Sequence, residues 1–399
     1  MLRIVLCGLL GTLVCDTASA DWRQFRGNDN SGLNPAALQK DWDGQQTLAW
    51  TADLPGRGLS SPIIIGEQVI LTACSGPRED RLHVLSFDAA TGQQQWERQF
   101  WATGRTVCHP KTSVAAPTPA SDGQRIFAFY SSNDLICLDL AGNLLWYRGL
   151  TFDYPNASNS LGMSSSLVVS GDTVVAMVEC DDESFATGIE TTTGATRWKI
   201  DRPRRANWTS PSLMQLGEQS LVLLQSSDGV SAVDVATGEV SWNYADGAST
   251  IPTLVVAGNT AFVPSHGVTA LRPGTSNPAV PEILWQEGSL QPGTSSPLVF
   301  GDAVYVINKA GVLTKAALND GSRLWQARMK GPFSASPVVA GGKMYCVSEE
   351  GSAQVIDLAD EGKTISTHEF GETVLSTPSV TADGIYVRSD GHLWKVQLP

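Results

Sequence analysis

The chain is 399 residues long, 42% hydrophobic and 17% charged, and 27 basic against 40 acidic side chains give a formal charge of −13. A balance this acidic disfavours non-specific binding to nucleic acid or to anionic lipid. The 38 Gly and 12 Trp suit many short strands joined by tight turns.

Residues 1–20 have the form of a secretory signal peptide: Arg3, an apolar run from Ile4 to Val14, and the small-residue cleavage site Ala18-Ser19-Ala20. That run is too short to cross a bilayer as a helix, and no other apolar run is long enough. Cys15 invites a lipoprotein reading, but Thr12-Leu13-Val14 lacks the small residue expected beside a lipidated Cys. The expectation is cleavage after Ala20 and a periplasmic or secreted monomer. Cys74, Cys108, Cys137, Cys180 and Cys346 then remain. Export permits a disulfide, for which Cys74 and Cys108 are the best pair; buried apolar thiols are the plainer reading.

Residues 21–47 form an N-terminal extension. Trp22-Arg23-Gln24-Phe25-Arg26-Gly27 is followed by the loop Asn28-Asp29-Asn30-Ser31-Gly32, and Trp22 and Phe25 are expected to lie across the rest of the molecule. From residue 48 onward the chain repeats. The unit is clearest in Ala232-Val233-Asp234-Val235-Ala236-Thr237-Gly238-Glu239-Val240-Ser241-Trp242. An Asp ending a strand bonds its own backbone two residues on, and a Gly four residues later takes positive φ. The Trp that follows is large and flat, with one N–H donor, and packs well between neighbouring sheets.

These Trp residues fall at Trp50, Trp96, Trp146, Trp198, Trp242, Trp285 and Trp325, at intervals of 46, 50, 52, 44, 43 and 40. A small-polar run ending in Pro keeps phase with them, as in Ser60-Ser61-Pro62, Thr209-Ser210-Pro211 and Ser376-Thr377-Pro378, with Ser164-Ser165-Ser166 filling one slot without Pro. Eight starts at about this period, all strand and turn, predict an all-β, eight-bladed β-propeller of four-stranded antiparallel blades over residues 48–399. In blade four the predicted strands run over 211–216, 220–225, 230–234 and 239–244. Leu48-Ala49-Trp50 has an outer strand without inner ones, and the last unit ends at Pro399 before its outer strand. The N-terminal strand should therefore complete the last blade and remove two exposed edges. Blade seven is irregular: no Trp follows Asp357-Leu358-Ala359-Asp360-Glu361-Gly362.

The repeat resembles the pyrroloquinoline quinone-like (PQQ-like) propeller repeat, a family that includes quinoprotein alcohol dehydrogenases and the BamB subunit of the outer-membrane β-barrel assembly machinery. A narrower group of exported bacterial propellers is similar in residues 22–27, His109-Pro110-Lys111-Thr112, residues 154–163 and residues 202–208. The resemblance to quinoprotein dehydrogenases would imply the quinone PQQ held through calcium or a lanthanide, a catalytic Asp, and in many members an adjacent Cys pair. This chain has no adjacent Cys pair and lacks the long insertions that build that site. Asp181-Asp182-Glu183 offers carboxylates to a hard cation, but reads more simply as a solvated acidic turn.

Other catalytic signatures are missing: no P-loop, no His-Glu-x-x-His and no Gly-x-Ser-x-Gly. Gly56-Arg57-Gly58 lacks a third Gly, and the five His do not cluster in sequence. No catalytic residue, metal ligand or cofactor is therefore expected, and the chain reads as a binding module. The unusual polar residues lie in the long loops feeding the first strands of blades two to four. They are His109, Lys111 and Thr112; Asn156, Asn159 and Ser160; and Arg204, Arg205, Asn207 and Trp208. First strands line a propeller's channel, so these loops should meet at one mouth. There Lys111 and the two Arg would hold a carboxylate or sulfate, with Trp208 as a stacking platform; the plainer reading is side chains satisfying loop backbone. The expected partner is an envelope protein or glycan. A BamB-like scaffold and a PQQ-dependent oxidoreductase are the alternatives.

Overall fold

The computed structural model describes residues 21–39, 41–158, 161–274 and 280–398; the signal peptide expected at residues 1–20 lies outside them. Eight four-stranded antiparallel sheets form. The last is closed as expected: Thr47–Asp53 pairs with His392–Gln397 as the outer strand, outside Gly384–Arg388 and Ser379–Val380. In blade four the strands are Ser212–Leu216, Gln219–Ser226, Gly229–Asp234 and Val240–Tyr244, within a residue or so of expectation. Among the described residues helix is confined to the short turns Pro35–Leu38 and Leu150–Asp153. Among the described residues no helix is long and apolar enough to cross a membrane.

The repeated turn is a device for docking one blade on the next. Asp234 Oδ1 accepts from the N–H groups of Ala236 (2.9 Å) and Thr237 (3.0 Å), which closes the turn and puts Gly238 at φ +77. A Cβ on Gly238 would sit 2.6 Å from Trp198 Cγ, in the preceding blade. Only Gly lets that indole lie flat on the turn. There Trp198 Nε1–H donates to Val235 O at 2.9 Å. The same bond joins Trp50 to Ala89, Trp96 to Leu140, Trp146 to Thr191 and Trp285 to Leu318. The cores lie between adjacent sheets, as where Val168, Met177 and Trp198 of blade three meet Val222, Leu224 and Val233 of blade four.

Blade seven shows what replaces its missing Trp. Ser366 sits opposite Val355, in the register that Trp occupies elsewhere. Trp42, from the N-terminal extension, fills the space: it is buried, with its ring centroid 6.4 Å from that of Tyr345. Gln46 Nε2 then bonds Ser366 Oγ at 2.9 Å.

The extension also closes the far end of the channel. Trp22 exchanges backbone hydrogen bonds with Ile64 of blade one, and Arg23 O accepts from Ser121 of blade two. Gln24 Oε1 accepts from Val169 N and Asn30 Oδ1 from Leu213 N, in blades three and four. Arg26 Nη2 donates to Pro297 O in blade six and Asn34 Nδ2 to Val380 O in blade eight. Val339 N of blade seven donates to Gly32 O. Seven blades are thus tied to one strap, which answers backbone groups that the splayed inner strands leave unpaired.

The disulfide for which Cys74 and Cys108 are the best pair is not formed: both are free thiols, as are Cys137, Cys180 and Cys346, and all but Cys108 are buried, in line with the plainer reading. The sulfurs of Cys74 and Cys108 face the same carboxylate oxygen, Glu79 Oε2, at 3.2 and 3.9 Å. Burial and that negative charge push Cys74 up to about 12 and Cys108 to about 11, so both stay protonated.

Candidate functional site: a blind central well

Strand alternation builds the site. Each blade enters its first strand with two side chains, two residues apart, turned to the channel axis. The deeper set forms a belt of hydroxyls linked from blade to blade. Ser61 N–H donates to Thr118 Oγ1 (2.9 Å), and Thr118 N–H to Ser166 Oγ (3.1 Å). At 3.0 Å each, Ser166 donates to Ser210, Ser210 to Thr253 and Thr253 to Ser296. Ser296 then donates to Ser336, and Ser336 to Thr377, also at 3.0 Å. The residues two positions earlier, among them Leu59, Trp208, Ile251 and Leu375, form the rim. The intervening side chains point back into the blades, as where Ser60 Oγ bonds Thr72 O and Thr209 Oγ1 bonds Gln225 O.

Phe25 of the strap forms the floor, and the cavity above it measures about 380 Å³. His109, Lys111 and Thr112 line its upper part together with Trp208. The loops of blades two and three meet through His109 N–H, which donates to Leu161 O at 2.8 Å. Arg57 fixes the first loop: it bonds Glu79 Oε1 at 2.7 Å and the carbonyls of Pro110 (3.2 Å) and Thr112 (3.1 Å). Lys111 Nζ reaches Glu349 Oε2 of blade seven at 2.8 Å, over blades one and eight. Burial alone would raise the Glu349 carboxyl, but the bonds from Lys111 and Ser334 outweigh it and hold it below the usual range.

The other candidates from the sequence lie elsewhere. Arg204 and Arg205 are exposed on their loop, as is Asn156, and none of the three lines the well. Asn207 is buried and structural: Nδ2 bonds Glu179 Oε2 (2.9 Å) and Gln225 O (2.7 Å), while Oδ1 caps Thr209. It holds the turn that presents Trp208. Asn159 and Ser160 lie outside the described residues. Sequence reasoning missed Phe25 as a floor, the rim residues Leu59, Ile251 and Leu375, and Glu349. The rim was readable, since each member stands two residues before a belt hydroxyl. Glu349 was not, because its partner is 238 residues away.

The donor set has a definite chemistry. Among the described residues of the lining, Lys111 is the one Lys or Arg, and its charge is met by Glu349. Among the described residues no three His, Cys, Asp or Glu side chains are grouped to hold a metal ion. Glu183 instead pairs with Lys199 at 3.1 Å. A tricarboxylate quinone carried on a divalent cation needs oxyanion ligands for the cation and cationic donors for its carboxylates. The well's hydroxyls and apolar rim do not fit such a group.

Fold and well together define an eight-bladed propeller with one end of its channel stoppered. The chain belongs to the family described as outer membrane protein assembly factor BamB, which matches it over residues 42–178, 158–277 and 275–365. No curated protein sequence matches it. Among solved structures it is similar to BamB from Moraxella catarrhalis, with a TM-score of 0.64 at 18% identity over 89% of this chain and 98% of that one. It is also similar in fold to a europium-containing methanol dehydrogenase, with a higher TM-score of 0.71 at 13% identity, over 95% of this chain and 98% of that one. Quinohemoprotein alcohol dehydrogenase from Comamonas testosteroni gives 0.69 at 13% identity, over 96% of this chain and 81% of that. Identities this low establish the shared architecture and no more.

Proposed function

We propose that this protein is an exported, non-enzymatic binding module of the cell envelope that takes a ligand in its central well. The observation that carries the reading is the well's shape: floored by Phe25, open at the other end, and bordered there by Trp208, His109 and Lys111. A stoppered cavity of this volume is a container for a small molecule rather than a passage. The lining's chemistry argues against PQQ, and with it against an oxidoreductase. The test is a screen of the purified protein on a glycan array and against envelope extract, beside Trp208→Ala. Binding that the variant loses while still folded supports the reading; binding indifferent to Trp208 sinks it. Titration with PQQ and calcium is the parallel check, and a saturable, calcium-dependent rise in melting temperature would reinstate the enzyme.

Family membership favours a second reading, a scaffold for proteins in outer-membrane assembly. Recovery of the same cross-linked envelope protein by the parent and by a variant with its well blocked would favour the scaffold, since a partner on the outer surface does not need the well.

A further inference from the structure

The belt narrows the class of ligand, an inference that rests on the proposed well. All eight belt side chains are 1–5% exposed and yet line the cavity. Seven of the hydroxyl oxygens accept a backbone N–H from the preceding blade. None of the eight donates to a protein atom among the described residues. A hydroxyl whose oxygen already accepts is left with its O–H to give. The belt is therefore a ring of hydrogen-bond donors turned to the axis, whose O–H groups have no protein acceptor among the described residues. A wholly apolar occupant would strand these groups, and a buried donor left without a partner is unfavourable. The occupant must carry acceptor oxygens around its circumference.

Charge supplies the second constraint. The belt has no cation, and Lys111 above it is already paired with Glu349 at 2.8 Å. A carboxylate or phosphate lowered to the belt would lose its water and gain no counter-charge, which is costly in a buried site. Shape supplies the third. Phe25 lies below the belt and Leu59, Trp208, Ile251 and Leu375 lie above it, so the occupant needs apolar faces as well as a polar edge. His109 adds one more donor at the rim. Its Nδ1 accepts the Lys111 N–H at 3.1 Å, which leaves the proton on Nε2.

We propose that the well receives a neutral pyranose ring, the terminal unit of an uncharged glycan or glycoside. Its oxygens accept from the belt, its C–H faces lie against the aromatic and aliphatic side chains, and the remaining glycan leaves past His109. The test is saturation-transfer NMR with the methyl glycosides of glucose, galactose, mannose and N-acetylglucosamine, and with glucuronate as the anionic counterpart. The parent protein is compared with Thr294→Trp, which blocks the mouth from an exposed rim position, and with Ser296→Ala, which removes one belt hydroxyl. Melting curves confirm that both variants fold.

The expected result is transfer to at least one neutral glycoside, abolished by Thr294→Trp and weakened about fivefold by Ser296→Ala, the equivalent of one hydrogen bond. Glucuronate should give none. Transfer to glucuronate alone, sensitive to Thr294→Trp, would overturn the neutral class and leave the well as a ligand site. Absence of any Thr294→Trp-sensitive transfer would overturn the sugar proposal. The wider binding reading is then judged separately, by the Trp208→Ala screen.

Discussion

Glu179 and Arg202 form a buried ion pair behind the Trp208 loop, and removing one partner should be far more damaging than removing both. Arg202 Nε lies 2.7 Å from Glu179 Oε1, and the side chains are 4% and 1% exposed. Arg202 also bonds Ser231 Oγ and Leu224 O, both at 3.1 Å, while the second Glu179 oxygen holds Asn207. Burial raises the Glu179 carboxyl above its ordinary value, against the opposing pull of Arg202 and Asn207. Desolvation therefore outweighs the attraction, and the pair contributes little net stability. Glu179→Gln nevertheless places an amide N–H₂ among donors and leaves a buried guanidinium uncompensated, at a cost of about 3–5 kcal/mol. Unfolding entropy near 2.1 cal/mol/K per residue makes 4 kcal/mol a drop of about 5 °C in Tm for a propeller of this size. The double variant Glu179→Leu/Arg202→Met should recover most of the loss, because hydrophobic replacement of a buried pair is often neutral. Urea unfolding and scanning calorimetry of the three proteins decide the matter. A Glu179→Gln variant within 1 kcal/mol of the parent, or a double variant worse than the single, would refute the reasoning.

Three further predictions follow from the turns and thiols. Gly238→Ala, with its Cβ 2.6 Å from Trp198 Cγ at φ +77, should cost about 2–4 kcal/mol, the sum of left-handed strain and overpacking. Gly217→Ala in the same blade, at φ +61 with open space around its Cβ, should cost only the strain of about 1–2 kcal/mol; equal losses in urea unfolding would remove the docking role of the turn glycine. The Asp88, Asp139 and Asp320 carboxyls are held below the usual range by side-chain bonds from Thr91, Asn143 and Ser322. Groups depressed in the folded state stabilise it above the unfolded value of about 3.9 and lose that contribution as pH falls through the folded values. Tm should accordingly hold down to about pH 4 and fall below it, whereas a decline beginning near pH 6 would point to His instead. Finally, Cys74 and Cys108 should resist iodoacetamide at pH 8 in the folded protein, given thiols raised to about 12 and 11; rapid alkylation, or an intact mass short of two hydrogens, would contradict the assignment.

Blade number, the four-strand unit and closure by the N-terminal strand were all legible in the sequence. They depend on local chemistry that recurs: an Asp that closes its own turn, a Gly that takes positive φ, and a Trp at the start of the next strand. The two rings of the well were equally local, because side-chain alternation along each first strand turns every second residue to the axis. Tertiary structure decided the rest. Trp42 replaces the missing Trp of blade seven because Thr47–Asp53, by completing blade eight, brings the segment just before it against blade seven, and no interval in the sequence marks that contact. The loop carrying Arg204 and Arg205 was recognisably unusual, yet those side chains face solvent while Asn207 beside them is buried. Which way a loop residue points is set by partners such as Glu179, just past the end of one strand, and Gln225 on another. The charge state of the mouth was set in the same way: Lys111 read as a free cation until the ring brought Glu349 to it from blade seven. Repetition wrote the fold in short-range signals, but pairing across the channel is long-range, and only ring closure brings those partners together.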